Sequence, residues 1–229
     1  MKAKKWVFLF WTTLVVGAIS GTITGFALDW NNGMKLGVKE FIVTFIWLFG
    51  VSAMFSVVSQ MGFFAYLSLH RIGIGIFRSW WNGVQVILIA LILFDLVYFR
   101  YQFFAEEGES IVPYLLVSVF LFVTSLMVAY IKQKETTKEA FVPALFLMIV
   151  VTTLEWFPAL YINDPKWLWV YFVPLFTSNV WQLLILHRLL DPKVIEESAK
   201  KQAKKQAGNQ ISTHPQKKQP TNRKKKKRS

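Results

Sequence analysis

Cysteine is absent from this chain. That excludes disulfides, thiol nucleophiles, Cys-ligated metals and S-palmitoylation. Histidine is scarce, and His70, His187 and His214 stand far apart with no metal-like pairing, so neither a metal nor a cofactor is expected. Charge is missing over long stretches, such as the whole run between Lys5 and Asp29 and the run from Phe41 to Leu69. Strand-like alternation is missing from these stretches too, which argues against a membrane barrel.

What fills the space is apolar. Of 229 residues, 54% are hydrophobic and 17% aromatic, more than a soluble domain of this size carries. A transmembrane helix needs about 20 mostly apolar residues, because the hydrocarbon core is about 30 Å thick and a helix rises about 1.5 Å per residue. On that rule the chain reads as all-α, a polytopic membrane protein with six transmembrane helices over residues 6–28, 41–69, 80–99, 111–131, 141–161 and 167–187. The second stretch exceeds the bilayer and must tilt or reach into the interface. Arg71 and Arg78 bracket a short Gly-containing turn, IGIGIF. The first stretch is too long for the apolar part of a cleaved signal peptide and lacks a cleavage-like site, so it is read as retained.

Basic residues set the orientation. Lys2, Lys4, Lys5, Arg71, Arg78, Lys132, Lys134 and Lys138 fall on one side, and Lys35, Lys39, Arg100 and Lys166 on the other. Both termini are therefore expected in the cytoplasm, and the protein in the cell membrane. Every connection is short, so function is confined to the bilayer or its faces. Residues 1–190 make the bundle. Residues 191–229 read as a basic, disordered cytoplasmic tail whose partner is the anionic headgroups of the phospholipid bilayer. No aromatic is interleaved there for base stacking, which disfavours a nucleic-acid partner.

Three sets of residues stand out. Gly17, Gly21 and Gly25 share one face of the first span, suited to close helix packing with a neighbour in this chain or another. Asp95 and Glu155 are acids within spans, in the outer halves of the third and fifth. Each must face another helix, find a donor, or take up a proton, and Arg100 is a candidate partner for Asp95. A cytoplasmic-side polar set comprises Gln60 with its neighbour Ser59, His70, Arg71, Arg78, Asn82, Gln85, Asn179, Gln182, His187 and Arg188. Asn82 with Gln85, and Asn179 with Gln182, are three apart and so share a helix face. They either join spans two, three and six or line a polar cavity. The tryptophans near span ends form an interfacial belt.

The string SVVSQMGFFAYLSLHRIGIGIFRSWWNGVQVILIALILFDLVYFRY, Ser56 to Tyr101, together with the N-terminal WVFLFWTTLVVGAISGTITGF, resembles the KbaA family. These are small membrane proteins named for activating KinB signalling in spore-forming Bacillaceae. The resemblance runs through all six spans to about Leu190 and leaves the basic tail unmatched. It implies a role in sporulation signal transduction, upstream of or alongside the sensor histidine kinase KinB, and carries no catalytic residue over.

Three functions compete. The first is a non-catalytic membrane regulator that binds a membrane sensor histidine kinase by helix–helix contact in the bilayer. The second is a small ion-coupled transporter or carrier using Asp95 and Glu155, although no internal repeat supports it. The third is a membrane enzyme acting on lipid or peptide, which would need paired acids, a His cluster or a Ser–His arrangement, whereas the two acids here lie on different helices. The first reading is preferred.

Overall fold

A computed structural model describes residues 3–29, 37–106 and 108–189. The helices are α1 (Ala3–Leu28), α2 (Val38–Phe77), α3 (Trp81–Phe104), α4 (Val112–Glu135), α5 (Phe141–Phe146), α6 (Thr152–Ile162) and α7 (Pro165–Leu189). A π-helical turn, Leu147–Val151, joins α5 to α6 without a break. No strand occurs among the described residues. The basic segment 191–229, and with it the expected contact to anionic lipid, lies outside the described residues.

Among the described residues five stretches are long and apolar enough to cross a membrane: Ala3–Leu28, Val38–Phe104, Val112–Glu135, Lys138–Ile162 and Pro165–Leu189. The sequence reading has six. The difference lies in its second and third spans, which run together over 67 residues. The IGIGIF segment, expected to turn, stays helical to Phe77. Glycine weakens a helix but does not stop it, and Ile74 separates the two glycines while Ile76 and Phe77 follow them. The break falls at Arg78, whose φ of 50° and ψ of −116° are unusual for a residue with a Cβ.

At that break the chain doubles back. His70 and Trp81 would stand about 16 Å apart on a straight helix, yet Trp81 Nε1 donates to His70 Nδ1 at 2.9 Å. Gly73 makes room, because a side chain there would run into the Trp81 ring. Tyr66 of α2 and Trp81 of α3 both reach the Phe146 ring, at 5.7 and 6.5 Å.

α1 and α7 pack side by side and antiparallel. Trp181 Nε1 donates to Thr12 Oγ1 at 3.1 Å, and Ser20 and Thr177 share a hydrogen bond of 2.7 Å. Farther along, Lys166 pairs with Asp29. Ala3 and Leu189 therefore lie at the same end of the bundle. The α6–α7 turn is compact for local reasons. Asn163 closes α6 in the left-handed conformation, φ 55°. Asp164 Oδ1 accepts from the N–H groups of Lys166 and Trp167, both at 2.9 Å, and Pro165 occupies the first helical position. Those are a helix C-cap, an N-cap and an N1 proline in succession.

The core centres on the π turn, where Leu147, Met148 and Ile149 have no exposed surface. Ser125 of α4 donates to the Met148 carbonyl at 3.3 Å. The wider turn advances the chain by one extra residue and resets the face that α6 presents. A second cluster gathers Leu96, Leu121, Trp156, Phe172 and Leu175.

Candidate functional site

The faces of α1, α2 and α7 that meet are lined with small and polar side chains. Side chains added at Gly17 or Gly21 would collide with Ser56 and Ser178, or with Ser52 and Pro174. One at Gly25 would stand 2.6 Å from Leu48 Cδ2. The glycine face is thus spent on α2 and α7 of the same chain. Gly17, Gly21 and Gly25 are all buried there.

Hydroxyls thread this seam. Ser56 Oγ donates to the Thr13 carbonyl at 2.9 Å and accepts from Ser178 Oγ at 3.0 Å. One turn along α2, Ser59 Oγ donates to Asn179 Oδ1 at 3.0 Å and accepts from Gln182 Nε2 at 3.1 Å. The amide of Asn179 then donates to Thr152 Oγ1 at 3.1 Å and to Glu155 Oε2 at 2.7 Å. Glu155 is thus tied to α7, and its other oxygen lies against Gly62 of α2, where any side chain would displace it. A carboxylate inside a membrane-spanning helix is costly unless donors face it, and Asn179 supplies one.

This arrangement redraws the depth division expected from the sequence, with acids toward one face and amides toward the other. Asn179 and Glu155 meet across α6 and α7. Asp95 lies instead along a cavity between α3 and α6 with Thr153, Leu154 and Arg100. Glu155 is not among the residues that line the cavity along Asp95. No ion pair joins Asp95 to Arg100 among the described residues. Arg100 Nη2 donates to Asn163 Oδ1 at 2.6 Å, so the α6–α7 turn is fastened to the end of α3.

The remaining members of the polar set fall into separate places. Gln60 and Gln85 are buried, and Gln85 lies beside the Tyr66 hydroxyl. That hydroxyl donates to the Pro143 carbonyl at 2.8 Å. Asn82 is exposed; three residues advance a helix by about 300°, and Gln85 takes the buried side alone. Arg71 and Arg78 are exposed at the hairpin. His70 holds Trp81 there. His187 and Arg188 both reach Glu135 of α4, at 3.3 and 2.8 Å. Beside them Lys132, buried, donates to the Leu183 carbonyl. No cluster of three or more acidic or imidazole groups able to hold a metal occurs among the described residues.

Sequence reasoning passed over Gly62, Thr13, Ser56, Thr152 and Ser178. Gly62 carried a signal, a lone glycine inside an apolar span with no turn residue beside it. The hydroxyls carried none, since serine and threonine in a membrane helix can also bond their own preceding turn, as Thr22 does to the Ala18 carbonyl.

A family model described as KbaA, KinB-signalling pathway activation in sporulation, matches residues 17–189. The "KinB-signaling pathway activation protein" of Bacillus subtilis (strain 168) is 45% identical over 192 residues, which cover 81% of this chain and 97% of that protein. No solved structure matches. The family match begins within the glycine repeat of α1 and ends at the last residue of α7, so it takes in every helix of the hydroxyl-and-amide seam. By both the family match and the identity to the Bacillus subtilis protein, the chain belongs to the KbaA family.

Proposed function

We propose that this chain activates KinB-dependent sporulation signalling as a non-catalytic, multi-pass protein of the cell membrane, acting by helix contact with the membrane-embedded kinase. The observation that carries the pathway is the 45% identity to the Bacillus subtilis activation protein over nearly all of that protein's length. The chain would cross the membrane six times, because the 67-residue run doubles back at Arg78 and each limb can span once. Antiparallel α1 and α7 support the placement of both termini on one face, and the basic-residue count supports the cytoplasmic one. The basic segment 191–229 would then touch anionic lipid on that face.

The contact with the kinase is assigned to the lipid-facing surfaces. The glycine face and the amides of α7 are occupied within the chain, which leaves exposed apolar positions such as Phe94 on α3 and Val119 on α4. A protein so placed biases a two-state kinase by binding one state more tightly. A carrier that uses Asp95 and Glu155 together is less well supported, since Glu155 is engaged by Asn179 and does not line the cavity along Asp95.

Expression of this chain in a Bacillus subtilis strain lacking its relative tests the reading. Restored KinB-dependent spore counts are the expected result, with photo-crosslinking to KinB from Phe94 or Val119. Restored sporulation with no crosslink from any lipid-facing position would refute direct contact while keeping the pathway. Inserted, folded protein that gives no rescue would refute the pathway itself.

A further inference from the structure

α3 buries an arginine near its end. Arg100 is 8% exposed, and its guanidinium stacks over the Tyr114 ring with 5.4 Å to the centroid. Nη2 is bound to Asn163, but Nε and Nη1 have no hydrogen-bond partner among the described residues. No carboxylate pairs with Arg100 there. A guanidinium in an apolar setting with unengaged donors is a strong demand for an oxyanion.

The same side chain lines a cavity of about 800 Å³ between α3 and α6. Its walls include Phe99 and Phe103 of α3 and Leu154 and Phe157 of α6, all exposed on their outer sides. The cavity therefore opens sideways through the wall of the bundle, where hydrocarbon chains lie against a membrane protein. Asp95 lines it as well, five residues before Arg100 and about 7.5 Å farther along α3. Asp95 offers an anionic group no cation, and Arg100 is the basic residue of the lining, so the Arg100 end is the part that can hold one.

We propose that this groove binds an anionic amphiphile, with its phosphate or carboxylate on Arg100 and its hydrocarbon along Phe99, Leu154 and Phe157. Arginine suits this role because its planar donors match oxyanions and remain charged in apolar surroundings. The inference is independent of the pathway assignment.

The test uses the full-length chain in mild detergent micelles and native mass spectrometry. One arm contains equimolar phosphatidylglycerol and phosphatidylcholine, and a second contains palmitate. The wild-type chain should retain one anionic amphiphile at least tenfold over phosphatidylcholine. Arg100→Gln should reduce that preference to near parity. Leu154→Trp, at an exposed position on the cavity mouth, should weaken retention several-fold. It carries the test if Arg100→Gln fails to give a cooperative melt by circular dichroism. Retention of phosphatidylglycerol alone assigns a phospholipid, palmitate alone a fatty acid, and both a site for either head. Equal retention of the two phospholipids with none of palmitate overturns the proposal. So does a preference that survives both variants, which would belong to the basic residues beyond α7.

Discussion

Glu155 Oε1 occupies the space that a side chain at Gly62 would need. The two residues lie on α6 and α2, so the glycine is required by the carboxylate rather than by any turn. Gly62→Ala should destabilise the bundle by about 1–3 kcal/mol, the range for an overpacked interior. Glu155→Ala in the same chain should recover most of that loss. Detergent-denaturation midpoints of the two single variants and the double variant would show it as a non-additive cycle; additive effects would place the clash elsewhere.

Asn179 joins α2, α6 and α7 through three hydrogen bonds. Asn179→Leu should cost about 1–2 kcal/mol, since hydrogen bonds between membrane helices are individually modest. Asn82→Leu, at an exposed position, should stay within about 0.5 kcal/mol of wild type. The same denaturation assay checks both, and a neutral Asn179→Leu would remove it as the hub of the seam.

Leucine at Gly17 or Gly21 meets Ser56, Ser178 or Ser52 within the chain. Either change should lower folding yield and broaden the elution profile in detergent, whether or not a kinase is present. A monodisperse, normally melting Gly21→Leu variant would mean that α1 does not sit against α2 and α7.

How much of this could be read beforehand differs by feature. The long uncharged runs specify helices, because only helices and closed barrels satisfy the backbone in lipid and the alternation of a barrel strand is missing. They do not specify which helix face is inside. Lipid is as apolar as the core, so burial leaves no periodic trace of the kind a soluble helix shows. The glycine repeat signals a close approach without naming the partner, and Ser56 and Ser178 supply that only in three dimensions. Asn179 and Glu155 are visible as polar residues in apolar spans, but their meeting depends on helix order and on the extra residue in the Leu147–Val151 turn. The glycines suggest a turn over the IGIGIF segment between Arg71 and Arg78, whereas the chain stays helical through it and breaks at Arg78, which no propensity favours.

The absence of cysteine gives a clean background for crosslinking. Ser20 and Thr177 oxygens stand 2.7 Å apart, so Ser20→Cys with Thr177→Cys should oxidise readily to an intrachain disulfide. The oxidised chain should run faster in a non-reducing gel. Ile23→Cys with Thr177→Cys should not, because Ile23 faces outward and is 64% exposed.

The pairing of α1 with α7 also has a consequence for synthesis. α1 leaves the ribosome long before α7, one of the two helices it packs against. Until translation reaches Trp181, the hydroxyls of Thr12 and Ser20 lack their partners on α7. A chain truncated before α7 would thus expose the groove along α1 that the hydroxyls of Thr12 and Ser20 line, and residues that are buried in the finished bundle would be open.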